Sequence, residues 1–374
     1  MNIAFDASDI CTGRADGTTR YTRELIKRLP ELDKEDYWNF YGPCAAPSHP
    51  LHLPLGQGER ITWHATPFPG AWTQTRFAWE LLKDNPDILF MPIQQLPIFR
   101  RPRMKTVAVI HDLAFHEYGE QFRMKDWLLL QTFSAQVAHE ADAIIAVSEA
   151  TKQDIKKYYG REENVHVVHH GIDHDKFRIF SDEQKEAGLK KLKEKYSEIQ
   201  KPYLLFVGQI QPRKNIARLI EAFELLQNSE LQLVIAGGHG WNNKEIYARI
   251  EHSSSHRKIV VPGAVPDELL PTLYANATAF IFPSLQEGFG IPLIEAAACG
   301  VPVITSNCSS MKEIMKDAGV LVDPLSSHAI GDGIAYALKN KTEIAQACAE
   351  RSQQFSWDKT AAATLRVIRE VSNV

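Results

Sequence analysis

An α/β chain of two doubly wound units, each a parallel sheet wrapped by helices, is the fold class that this sequence predicts. Three observations predict it. Short β-branched runs alternate with helical patterns through most of the chain. The runs form two series, separated by residues 181–200, which are rich in Lys and Glu and poor in apolar side chains. A chain of 374 residues also exceeds what one hydrophobic core usually serves, so two domains are expected.

The first series includes residues 2–7, 106–111, 143–148 and 166–170, separated by polar or helical segments such as 17–29 and 123–140. Residues 181–200 read as an exposed helix and linker, placing the domain boundary near Lys201 and Pro202. The second series comprises residues 203–208, 231–237, 258–263, 279–283, 301–306 and 320–323, and residues 357–374 read as a closing helix. The expected domains are therefore residues 1–200, 201–356 and the terminal helix 357–374. Two open parallel sheets facing each other would turn the carboxyl ends of their strands toward a shared central cleft, where ligands are expected.

Composition narrows the function. Apolar residues make up 44% and charged residues 24%, an ordinary soluble balance, and the formal net charge of -4 gives no reason to expect a nucleic-acid partner. Five cysteines, an odd number without a CxxC pair, suggest neither a disulfide framework nor a zinc site, and fit a reducing cytoplasm. The first eight residues read as a buried strand rather than a secretory leader. No stretch reaches membrane-spanning length, so membrane contact is expected to be peripheral, at the inner face.

The most informative stretch runs from Glu287 through Gly288, Phe289 and Gly290 to Glu295, just past a predicted strand. Pro292 suits a first helical turn and Gly300 the position beyond its end, so a short helix is expected between them. Its leading amides, exposed by the glycines, would bind an anion or a hydroxyl. Taken alone, two glutamates near a helix start read as capping and dipole complementation rather than chemistry; the glycines between them shift the balance toward a ligand site. A second cluster, Gly208 to Asn215, follows the strand at 203–207. Arg213 and Lys214 there would sit beside a helix start, with Asn215 as its N-cap and Ile216, Leu219, Ile220, Phe223 and Leu226 as its apolar face. A solvated cation pair is the plain alternative; in one cleft with Glu287 the pair becomes a diphosphate clamp.

In the first half, His111 and Asp112 end an apolar strand on its ligand side. The loop from Gly13 through Gly17 to Arg20 is small enough for close ligand approach. It is no GxGxxG fingerprint, which argues against a dehydrogenase. Asp173 and Asp175 imitate a metal-binding DxD, but their setting after His169, His170 and Gly171 favours a structural turn. The basic run from Arg100 to Lys105, preceded by Phe99, could contact anionic lipid or simply be solvated.

Together these features resemble the family 4 glycosyltransferases, a retaining group with the GT-B fold of two Rossmann-like domains. The resemblance rests on the Gly17 loop, residues 110–113, 147–149 and 170–173, Gly208 through Lys214, the Glu287–Glu295 spacing and residues 299–303. It implies that Glu295 binds the donor ribose. Glu287 and the backbone of Gly288, Phe289 and Gly290 would hold the donor sugar. Arg213 and Lys214 would neutralise the diphosphate, His111 would approach the sugar from the other domain, and Gly17 would admit the diphosphate and acceptor. The base would rest near Gly263 to Val265, and the terminal helix would cross back to the first domain. No metal or other cofactor is expected. The opening Phe5, Asp6 and Ala7, with the Gly17 loop and residues 111–113, resembles bacterial mannosyltransferases of surface polysaccharide (lipopolysaccharide) assembly. GDP-mannose is therefore the expected donor, with a saccharide or lipid-linked saccharide acceptor. A UDP-hexose donor, a nucleotide-sugar epimerase of the same fold, and a binding protein without turnover are the alternatives.

Overall fold

The computed structural model describes residues 1–13, 16–45 and 60–372. Two compact units emerge: Met1–His116 with Arg123–Gly171 and Trp357–Val374, and Glu117–Phe122 with Ile172–Ser356.

The sheet of the first unit contains β1 (Asn2–Asp6), β2 (Tyr37–Gly42), β3 (Ile61–Ala65), β4 (Ile88–Met91), β5 (Lys105–Ile110), β6 (Ala143–Ala146) and β7 (Val165–Val167), in the order 3-2-1-4-5-6-7. Every pairing is parallel. Apolar alternation did not reveal β2, β3 or β4: β4 is four buried residues, and β3 is a half-exposed edge. The Phe5 ring lies 5.3 Å from Phe40 and 5.0 Å from Phe90, joining β1 to both neighbours. Helix Gly17–Leu32 buries Tyr21, Leu25, Ile26 and Leu29, a helical face, and packs against helix Trp357–Ser372. Arg28 pairs with Asp358 at 2.7 Å, Arg369 with Asp33 at 3.2 Å, and the Thr360 hydroxyl donates to the His169 carbonyl at 2.8 Å. The terminal helix is thus an integral part of the first unit.

Cys11 and Cys44 form a disulfide, with Cα atoms 5.6 Å apart, which corrects the expectation that no disulfide exists. Parallel pairing of β1 with β2 brings the chain after Asp6 beside the chain after Gly42, a proximity that sequence spacing conceals. Cys299, Cys308 and Cys348 are free. The inference of a reducing compartment from cysteine usage thereby loses its basis.

In the second unit, β8 (Tyr203–Val207), β9 (Gln232–Ala236), β10 (Ile259–Gly263), β11 (Ala279–Phe282), β12 (Val303–Ser306) and β13 (Val320–Val322) form a parallel sheet in the order 10-9-8-11-12-13. Ser181 begins helix Asp182–Lys195 with a capping box, and the helix packs on Leu270–Ala275, closely enough at Gly188 that a Cβ there would meet Thr272. That packing carries Ile172 onward into the second unit, ahead of the boundary read near Lys201.

Strand order reverses between β1 and β4 in one sheet and between β8 and β11 in the other. Outside the carboxyl ends of such neighbours the chain leaves in opposite directions and opens a crevice, the usual ligand position in open α/β sheets.

Candidate active site

The crevice of the second unit is built by the loops after β8 and β11. A Cβ on Gly237 would lie 1.8 Å from the Gly208 carbonyl oxygen, so glycine is required where the end of β9 meets the end of β8. The chain then turns through Pro212–Lys214 and delivers two cations to the loop after β11. Lys214 Nζ lies 2.5 Å from Glu287 Oε1 and 4.9 Å from the Phe282 ring centre. Arg213 Nη1 lies 3.2 Å from Glu287 Oε2 and also donates to the Gln286 carbonyl. Burial alone would raise the Glu287 carboxyl; Lys214 and Arg213 together overcome it and hold the group below the ordinary carboxylate range. The site therefore carries one anion and two cations in a largely dry setting.

Asn215 differs from expectation. At φ 59° it makes no side-chain cap; its amide donates to the carbonyls of Pro283, at 3.0 Å, and Pro324, at 2.7 Å. A capping side chain serves its own helix, whereas this one ties the chain ends after β11 and β13 to the start of helix Ile216–Leu225. The Ser309 and Ser310 hydroxyls donate to the Glu287 carbonyl at 2.8 and 2.9 Å, and Ser310 also reaches the Phe289 carbonyl at 3.1 Å. Gly290 adopts φ 95°, and a Cβ there would stand 2.9 Å from Leu293 Cδ1. Helix Ile291–Ala298 starts at that point with Pro292 in its first turn, as its flanking residues predict. Gly288 and Phe289 lie in the same loop. Glu295 is buried in the helix and accepts from the Tyr274 hydroxyl at 2.9 Å. Val265 is half-buried just past β10.

In the first unit, His111 directly follows β5 and its Nε2–H donates to the Pro92 carbonyl at 2.7 Å. Burial lowers its pKa, more than the nearby carbonyl and acids raise it. Its ring lies 5.1 Å from Tyr21 and 5.3 Å from His170. Gly17 opens helix Gly17–Leu32 behind Asp16, whose carboxylate accepts from Thr19 N at 2.9 Å. Arg14 and Ala15 of that loop lie outside the described residues. In the second unit, Asp173 Oδ1 accepts from the amides of Asp175 and Lys176 at 3.0 and 3.1 Å, the structural turn favoured for the DxD-like triplet.

The Glycosyltransferase Family 4 model matches residues 15–176 and the model for Glycosyl transferases group 1 matches residues 189–355, so the two divide most of the chain between them. The chain belongs to glycosyltransferase family 4. Among curated relatives, O-antigen chain mannosyltransferase B of Escherichia coli is 37% identical over 182 residues, covering 47% of this chain and 48% of that enzyme. The chain spans about half, or less, of the length of the first such relatives it matches. Sucrose-phosphate synthase from Thermosynechococcus elongatus superimposes with TM-score 0.75 at 20% identity, covering 98% of each chain. The Anabaena protein HepE, solved in complex with UDP-glucose, gives 0.73 at 17% identity, covering 100% of this chain and 99% of its own. The fold is GT-B.

In this family 4 glycosyltransferase, Glu287, Arg213 and Lys214 meet as one ion-paired group, with Gly208 behind them and Gly288 to Gly290 beside them. Glu295, inside the helix that follows, accepts from the Tyr274 hydroxyl. His111 and Gly17 belong to the first unit. Sequence reasoning missed Ser309 and Ser310, although a serine pair at a helix start three residues past a strand end is a readable polar signal. It also missed Tyr274, which no local pattern distinguishes from core.

Proposed function

We propose that the protein is a retaining mannosyltransferase that moves mannose from GDP-mannose to a saccharide or lipid-linked saccharide. The ion-paired Glu287, Arg213 and Lys214 group at the β8–β11 switch point carries this reading. Departure of a nucleoside diphosphate builds negative charge, and two fixed cations beside a helix N-terminus stabilise it without solvent reorganisation. Before the donor arrives, Glu287 is their counterion. Diphosphate oxygens would take over Lys214 and Arg213, releasing the Glu287 carboxylate to accept from sugar hydroxyls. A carboxylate engaged on the hydroxyl side of the sugar is not placed to attack the anomeric carbon, so Glu287 is assigned to sugar binding, with front-face attack by the acceptor. Neutral His111 would act as a hydrogen-bonding group at the sugar, and Gly17 would admit the acceptor side of the donor. Glu295 would bind the ribose, and the backbone near Val265 the base. No metal is required in this scheme, because the cations come from the chain. The similarity to an O-antigen mannosyltransferase supports the sugar and the acceptor class. A cytoplasmic site follows from the donor. No helix among the described residues is long and apolar enough to cross a membrane.

The test is a thermal-shift series with GDP-mannose, GDP, UDP-glucose and UDP, followed by acceptor-dependent release of nucleoside diphosphate and assignment of the product anomer. Stabilisation by guanine nucleotides with an α-mannoside product is expected. Uridine selectivity would replace the donor by a UDP-hexose. Sugar isomerisation without acceptor would make the protein an epimerase, and an inverted anomer would overturn the front-face mechanism.

A further inference from the structure

We propose that Ser309 and Ser310 are positioning residues that aim the backbone amides of Gly288 and Gly290 at the donor sugar. The inference rests on the sugar-binding role proposed for that loop, and on how its peptide planes are held. Ser309 Oγ donates to the Glu287 carbonyl at 2.8 Å and accepts from Glu287 N at 3.3 Å, so one hydroxyl grips both backbone groups of that residue. Ser310 Oγ donates to the same carbonyl at 2.9 Å and to the Phe289 carbonyl at 3.1 Å, sharing its hydrogen between two peptides. Ser310 is fully buried, and the Phe289 ring is fixed edge-on against Phe355, with ring centres 5.7 Å apart. Neither peptide can turn over without breaking these contacts.

Peptide planarity converts these ties into an orientation. The bonds from Glu287 to Gly288 and from Phe289 to Gly290 are trans, so each N–H points opposite to the carbonyl of its own plane. Two carbonyls drawn toward Ser310 send the Gly288 and Gly290 N–H groups to the other side of the loop. Sheet order decides which side that is. The serines follow β12, one neighbour of β11, whereas Arg213 and Lys214 follow β8, the other neighbour. The loop after β11 is gripped through its backbone from the β12 side and through the Glu287 carboxylate from the β8 side. Amides turned away from the serines therefore face the crevice and its cations. Ser309 is also held at φ 52°, where a β-carbon is unfavourable and glycine would be relaxed. Strain of that kind persists where the surroundings hold it in place, and here the paired bonds to Glu287 do so.

The test separates the sugar from the nucleotide. Dissociation constants for GDP-mannose, GDP, UDP-glucose and UDP are measured by titration calorimetry on the full chain, as wild type, Ser310→Ala and Ser309→Gly. Wild-type preference decides which nucleotide sugar and which diphosphate are compared. Ser310→Ala should weaken the nucleotide sugar roughly ten-fold and leave the matching nucleoside diphosphate within about two-fold of wild type. Ser309→Gly removes the hydroxyl but suits the backbone, so its melting temperature should stay within about 3 °C of wild type while nucleotide-sugar affinity falls roughly five-fold. Equal weakening of nucleotide sugar and diphosphate would overturn the proposal and leave the serines a purely structural role. Wild-type affinity for the nucleotide sugar in both variants would overturn it as well. Uridine selectivity would replace the proposed donor while the split between sugar and diphosphate still decides the role of the serines. A wild-type chain that binds none of the four would overturn both readings.

Discussion

The two crevices handle buried ionisable groups in opposite ways. In the first unit burial wins: Asp6 is pushed up to about 7, and His111 and His170 are pushed down, so all three tend toward their neutral forms. In the second unit Glu287 is equally enclosed but stays charged, because Lys214 and Arg213 are placed against it. One crevice offers neutral hydrogen-bonding groups, and the other a preformed set of charges. A bond that breaks by releasing a diphosphate needs the second kind of surface where the negative charge appears, and a sugar that must not be hydrolysed suits the first.

Removing a cation breaks the contrast most severely. Lys214→Ala is expected to lower turnover by about 100- to 1000-fold, the range for losing one preorganised charge-stabilising group. Steady-state kinetics with saturating donor would measure it, and a loss under two-fold would dissociate Lys214 from the chemistry. Glu287→Gln keeps the shape and removes the counterion; a fall of about 100-fold in kcat/KM is expected. Its pH behaviour is a separate test. The folded-state pKa of Glu287 is depressed, so its pairing stabilises the fold above the unfolded-state pKa, and that contribution disappears as pH falls through the folded value. Acid melts of Glu287→Gln should therefore decline less steeply than wild type below about pH 4.

How much of this was visible in sequence follows from the range of each interaction. Alternating strands and helices are local patterns, and the second sheet and strands β1, β5, β6 and β7 of the first could be anticipated from them, as could the loop from Glu287 to Gly290 and the cations after β8. Ion pairing between residues 213–214 and 287 could be suspected only once β8 and β11 were taken as neighbours. Tyr274 could not: a tyrosine on a short apolar helix looks like core until the fold turns its hydroxyl to Glu295. The Cys11–Cys44 bond failed for the same reason, since β2 lacked a strand signal clear enough to bring the loops together. Asn215 was recognised by position but misassigned by role, because its long-range carbonyl partners outcompete the local cap.

The neutral crevice can be sharpened through Asp6. This side chain is 1% exposed, Oδ1 accepts from Ser8 N at 2.8 Å, and Oδ2 has no hydrogen-bond partner among the described residues. Its folded pKa is raised by burial, so the favourable protonated state is fully available below the ordinary aspartate pKa and is lost as pH rises through about 7. The loss has an upper bound of roughly 4 kcal/mol, reduced by relaxation and water entry. Asp6→Asn, which stays neutral, should melt higher than wild type at pH 8, by less at pH 5, and near it below about pH 4. Equal melting temperatures at pH 8 and pH 5 would show that Asp6 is charged in the fold and that the crevice is not neutral.

The smallest expected effect probes the edge of the charged crevice. Tyr274 donates to Glu295 Oε2 at 2.9 Å with both residues buried, so its hydroxyl orients the carboxylate that a ribose diol would bind. Tyr274→Phe removes one hydrogen bond to a charged acceptor and leaves the ring packing against Phe177 and Phe280 intact. About ten-fold weaker donor binding is expected, in KM rather than kcat, since the ribose lies away from the breaking bond. An equal loss in kcat would mean that the Tyr274–Glu295 pair shapes the loop from Glu287 to Gly290 rather than the ribose site. The charged crevice would then extend through the helix from Ile291 instead of ending at its first turn.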